Sequence, residues 1–86
     1  MSSIRRNGVR FSVYPNDHPP CHVHAATGGI AVIIELLPNG TIELADRKDC
    51  ILPHNAKRSD VRKILDKADI HLEELIVLWE KRHGKP

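Results

Sequence analysis

Eighty-six residues with a formal charge of +2 at pH 7 suit one domain, expected to span 1–86. An apolar fraction of 41% beside 28% charged residues is the ordinary balance of a globular chain, and so small an excess of positive charge does not by itself imply nucleic acid. Phe11, Tyr14 and Trp79 are the whole aromatic complement, so the core must rest on Ile, Leu and Val.

The opening Met1-Ser2-Ser3-Ile4-Arg5-Arg6-Asn7-Gly8 carries no apolar segment of a secretory leader and runs straight into a strand-like stretch. From Val9 to Tyr14 the residues alternate, with Val9, Phe11 and Val13 on one face, as in a half-buried strand. Pro15 ends it, and Asn16-Asp17-His18-Pro19-Pro20 is expected to be loop, because the two prolines fix φ and remove two donors. Cys21 to Ala26 suits a short strand, and Gly28-Gly29 a turn. Ile30 to Leu37 is apolar on both faces, as a central strand would be. Pro38-Asn39-Gly40 is the strongest turn signal, with Asn-Gly suited to the positive φ values of a type I′ turn. Thr41 to Ala45 returns as a strand, and Asp46 to Lys57 is polar and irregular.

The last third has helical spacing. Val61, Ile64, Leu65, Ala68, Leu72, Leu75, Ile76 and Trp79 fall on one face, with Ser59 as the expected N-cap and Gly84 as the stop. One helix fits the phase, and so do two with Asp69 capping the second. Two are favoured, because a single helix of about 25 residues would extend about 37 Å and overhang so small a sheet. The expected class is α+β: an antiparallel sheet of three to four strands, about 9–45, covered by a C-terminal helix or helix pair, about 59–83. Val9–Tyr14, Ile30–Leu37 and Thr41–Ala45 are expected as neighbours, with Leu75 and Trp79 packed on them.

No apolar run exceeds Ile30 to Ile34, far short of a membrane span. Cys21 and Cys50 do not make a disulfide framework, so free thiols in a reducing cytoplasm are the expectation.

The chemistry is concentrated in Asn16-Asp17-His18-Pro19-Pro20-Cys21-His22-Val23-His24. Residues two apart on a strand face the same side, so His22 and His24 present two imidazoles together, and the proline loop can fold His18 or Asp17 over them. His18, His22, His24 and Asp17 are therefore the candidate ligands for a divalent metal such as zinc. The same rings suit acid–base catalysis: His22, His24 and His18 are the candidate catalytic residues, and a metal-free nuclease would add an Arg or Lys for the phosphorane charge. The third reading makes the loop a scaffold or adaptor surface, held by Asn16 and Asp17 through side-chain to backbone bonds. Cys21 would have a lowered pKa beside a charged histidine, and is otherwise a small half-buried thiol. His71 reads as a cap or surface residue, and His54 and His83 as solvated. Basic residues line the first helical segment, and an RNA surface would draw on Arg10, Arg58 and Arg62 with Tyr14 for stacking.

Asn16-Asp17-His18-x-Pro20-x-His22-x-His24, then a glycine turn and an apolar strand, resembles the small bacterial proteins grouped as domain of unknown function 4160. Leu75-x-x-x-Trp79, preceded by His71 and Glu74, also matches, so the resemblance covers nearly the whole chain. It implies no established activity. It implies a toxin–antitoxin-like pair: a small cognate protein encoded nearby, and an RNA- or translation-directed role. Homo-oligomerisation stays open, as does the choice between this role, a metal-binding or hydrolytic domain, and a non-catalytic adaptor.

Overall fold

A computed structural model describes residues 2–84. Six strands precede two helices: β1 (Ser2–Arg6), β2 (Val9–Val13), β3 (His22–Thr27), β4 (Ile30–Leu36), β5 (Ile42–Leu44), β6 (Ile51–Leu52), α1 (Arg58–Ile70) and α2 (Leu72–His83). The expected α+β class holds, but the sheet has six strands in place of three or four. Its order is β1-β2-β3-β4-β5, all antiparallel, and β6 also pairs with β4. β2 and β4, expected as neighbours, are separated by β3.

Turn chemistry explains the topology. Asn7 and Gly8 have φ of 51° and 80°, so the type I′ geometry expected at Asn39-Gly40 occurs instead between β1 and β2, where Arg6 faces Val9. Gly28 and Gly29, with φ of 52° and 81°, make the turn expected there, and set Thr27 opposite Ile30. At the β4–β5 connection only Gly40 has positive φ. Pro38 presets an ordinary turn in which the Gly40 N–H donates to the Leu37 carbonyl at 3.1 Å, and Asn39 instead accepts from the Thr41 N–H and hydroxyl at 3.2 and 2.6 Å.

β5 and β6 share one edge of β4. Leu44 faces Ile34, and Ile51 faces Val32. Between them the Ala45 N–H donates to the Ile33 carbonyl at 3.0 Å, and the Ile33 N–H to the Cys50 carbonyl at 2.9 Å. The chain therefore leaves the sheet after Ala45 and returns at Cys50, so the stretch expected to be wholly irregular contains the short strand β6.

Alternation sets the core. Val9, Phe11, Val13, Val23, Ala25, Val32, Ile34 and Leu36 form one buried cluster with Val61, Ile64, Ala68, Leu75, Leu78 and Trp79 of the helices. α2 packs across β1 to β4, and α1 over β4 and β5. The expected burial of Leu75 and Trp79 is met.

The helices differ from expectation at their starts. α1 begins at Arg58 after Lys57, with no side-chain cap, so Ser59 lies inside the first turn and caps nothing. The break between helices falls at His71, with φ −105° and ψ 22°, two residues beyond Asp69. Gly84, at φ 77°, ends α2 with its N–H on the Glu80 carbonyl at 2.7 Å, as expected. Among the described residues no helix is long and apolar enough to cross a membrane.

Candidate metal centre

A tight turn carries Asp17 to the start of β3. Pro15 follows Tyr14, and the Asp17 N–H donates to the Tyr14 carbonyl at 3.1 Å. The bond is reciprocated: the Tyr14 N–H donates to Asp17 Oδ2 at 2.9 Å. This double closure points the other oxygen, Oδ1, at the two imidazoles of β3. His24 Nε2 lies 3.2 Å from it and His22 Nε2 3.6 Å.

His22 is the more constrained ring. It is buried at 5% exposure, and its Nδ1 donates to the Pro20 carbonyl at 2.8 Å. A carbonyl only accepts, so the hydrogen sits on Nδ1 and the neutral ring offers a lone pair at Nε2. That nitrogen is buried and has no hydrogen-bond partner among the described residues. In that neutral form Nε2 faces a carboxylate oxygen across 3.6 Å, an arrangement that a proton or a metal cation between them would satisfy.

The ligand atoms of Asp17, His22 and His24 all lie within 4.8 Å of one another. Ligands about 2.0–2.2 Å from a tetrahedral zinc stand about 3.3–3.6 Å apart, close to the separations measured from Asp17. The Nδ1–carbonyl bond of His22 is the kind of outer contact that fixes the tautomer and orientation of a metal-ligating histidine. Two imidazoles and one carboxylate suit a borderline divalent ion and leave a coordination position for an exchangeable ligand.

Asp17 also carries the electrostatics. Burial pushes its carboxyl up from 3.8, but the Tyr14 N–H, the His24 hydrogen bond and the charges that His24 and His22 carry when protonated outweigh it, and the net shift is downward. It is accordingly an anion near neutral pH. Cys21, between the prolines and His22, goes the other way: burial, then the charge of Glu80, pushes its thiol up to about 11. The activated thiol considered from sequence is not formed, because burial disfavours the thiolate.

Aromatic rings buttress the cluster. Tyr14 meets His24 edge-on at 4.8 Å between centroids, and His22 meets His24 at 5.2 Å. Trp79 of α2 lies 5.2 Å from His22 and stacks on His83 at 4.0 Å. His83 Nε2 donates to the Tyr14 carbonyl at 3.2 Å. His83, expected to be solvated, instead ties the end of α2 to the loop. The usable sequence signal was its i+4 spacing from Trp79, which puts both on one helix face.

The cluster borders a cleft of about 350 Å³ lined by Asp17, His18, His22, Ile33, Glu35 and Arg47 among others. His18 is exposed and lines this cleft, while the loop residue that joins the two imidazoles is Asp17. Tyr14 belongs to the cluster through His24. The other candidate binding residues are elsewhere. Arg10 is exposed on β2 opposite Ala26, and Arg58 and Arg62 line a separate groove with Leu44, Ile51 and Leu65.

No curated protein and no solved structure matches this chain. A family model does, across residues 8–80, a span that includes β2 to β6, the Asp17–His24 segment and the helices through Trp79. The chain belongs to the family described as Domain of unknown function (DUF4160).

Proposed function

We propose that the chain binds a divalent transition metal through Asp17, His22 and His24. The observation that carries this is the buried Nε2 of His22, without a hydrogen-bond partner among the described residues, aimed at Asp17 Oδ1 across 3.6 Å, with His24 Nε2 on the same oxygen. Zinc and cobalt(II) are the natural ions for two imidazoles and a carboxylate.

The test is titration of the apo protein with zinc and cobalt(II), followed by calorimetry and by emission of Trp79, the only tryptophan, which touches His22. The expected result is one ion per chain. Asp17→Asn keeps an acceptor for the Tyr14 N–H but removes the anionic ligand, and should weaken binding by more than the about 10–100-fold that loss of an outer contact costs, with the fold intact. Binding that is absent, or equal in Asp17→Asn, would end this reading.

A second reading is favoured by the same bond network. His24 on Asp17, His22 on Pro20 and His83 on Tyr14 also suit a metal-free clamp that makes the loop a rigid docking surface. That reading expects no metal uptake and a large loss of stability on His22→Ala.

A cognate protein and RNA as partners rest on the family resemblance alone. Leu52, Ile70 and Val77, the exposed large apolar residues described, sit on three different elements. Co-expression with the neighbouring gene product tests the toxin–antitoxin-like role: a co-purifying complex supports it, and no complex with unaffected growth opposes it.

A further inference from the structure

Among the described residues the Glu35 side chain makes no hydrogen bond and no ion pair. β4 is apolar from Ile30 to Leu36 except for this one carboxylate, in an element type that is depleted in glutamate. It is half-buried, and none of the ion pairs among the described residues engages it. Glu35 stands in register between His22 on β3 and Glu43 on β5, so the His22 and Glu35 side chains share a face with Cβ atoms about 4.5–5.5 Å apart. Both line the same cleft as Asp17.

We propose that Glu35 is a catalytic residue: the proton acceptor of a metal-dependent hydrolase acting on a neutral carbonyl compound, an ester or amide, bound in this cleft. The proposal rests on the metal reading of Asp17, His22 and His24. Asp17, His22 and His24 would hold the ion, which would supply a bound water and charge stabilisation for a carbonyl oxygen. Glu35, beside His22 on the cleft wall, would take a proton from the water as its oxygen adds to the carbonyl carbon, whose oxygen would carry the negative charge. The intermediate then collapses: the bond to the leaving oxygen or nitrogen breaks, its electron pair leaves with that atom, and the proton held by Glu35 passes to it. The products are a carboxylic acid and an alcohol or amine, and no oxidant or further reactant is needed.

Charge decides the substrate class. The cleft carries three carboxylates, Asp17, Glu35 and Asp46, against one cation outside the histidines, Arg47. A divalent ion brings that set to neutrality. Arg47 is itself 3.4 Å from Asp49. A phosphodiester would therefore meet no net positive field, whereas a neutral carbonyl meets none that it needs. The volume of about 350 Å³ lies near the lower bound for small-molecule sites, which suits a short acyl group.

The experiment uses the full chain, apo and loaded with zinc or cobalt(II), with p-nitrophenyl acetate and bis(p-nitrophenyl) phosphate as probes. The loaded protein should hydrolyse the acetate faster than apo protein plus the same free metal at non-binding sites, measured on Asp17→Asn. Glu35→Gln should lower kcat by about 10²-fold or more while cobalt(II) affinity stays unchanged, which also shows that the variant folds. Loaded wild type no faster than Asp17→Asn overturns the hydrolase and leaves the metal reading standing. Loss of cobalt(II) affinity in Glu35→Gln overturns the base and makes Glu35 a ligand. Preference for the phosphate probe overturns the carbonyl assignment. Wild type that binds no cobalt(II) removes the metal reading itself.

Discussion

Asp17 shows how a loop residue is selected for a site. The His22–His24 pair was legible in sequence because strand periodicity alone places alternate residues on one face. Which neighbour would join them was not. Asp17 and His18 are adjacent, and the choice depends on a turn closed by the Tyr14 and Asp17 backbones and by Asp17 Oδ2, long after Pro15 has fixed the local direction. The same limit applies to Cys21. Its sequence neighbours favoured a small half-buried thiol and allowed a lowered pKa beside a charged histidine; the half-buried reading holds, and burial and Glu80 on α2 push the thiol up to about 11, an effect not visible from residues 20–22. Native Cys21 should therefore alkylate with iodoacetamide at pH 8 at least about tenfold more slowly than in the urea-unfolded chain, since the thiolate is the reactive form. Peptide mass spectrometry separates it from Cys50. Equal rates in the two states would show that the thiol is neither buried nor raised.

At the scale of elements, the long periodic features were readable and the short ones were not. The helical stripe from Val61 to Trp79 and the apolar β4 carry enough repeats to fix their type. β1 carries one apolar residue, Ile4, among Ser2, Ser3, Arg5 and Arg6, and is held by the Asn7-Gly8 turn and by pairing with β2. β6 has two residues and exists because β5 leaves half of the β4 edge open. The helix break is likewise a tertiary matter. His71 Nδ1 lies 3.1 Å from Glu74 Oε1, and Arg6 of β1 donates to Glu74 Oε2 from Nε and Nη2 at 2.8 Å each. Glu74 is held below 4.5 by the Arg6 hydrogen bond first and by His71 second. A depressed carboxylate stabilises the fold above its unfolded pKa, and that contribution fades as pH falls through the folded value. The group is exposed, so the effect is small. Urea midpoints of wild type and Glu74→Gln should differ modestly well above pH 4.5 and converge well below it. A gap that persists or widens in acid would show that the Arg6–Glu74 contact contributes nothing through charge.

Across the whole molecule, the core and the site are joined at one side chain. Trp79 is 6% exposed within the buried cluster of sheet and helices, and its indole also lies against His22 and under His83. The sequence placed Trp79 in the core by spacing, but not beside the candidate metal ligands, because His22 and Trp79 are far apart in the chain and meet only once α2 lies across β3. Truncating so large a buried ring removes both its transfer free energy and its packing partners, a cost of about 3–5 kcal/mol. Domains of this size have total stabilities of the order of 5–15 kcal/mol, and small ones sit low in that range. Trp79→Ala should therefore lower the urea midpoint severely or leave the chain unfolded, whereas Trp79→Phe keeps a ring against His22 and should retain most of the stability. The two variants separate core from site: if Trp79→Phe melts like wild type and keeps its affinity for cobalt(II), the indole acts by filling space. A loss of less than about 1 kcal/mol in Trp79→Ala would mean that α2 is not held to the sheet by this residue, and would remove the buttress from His22 with it.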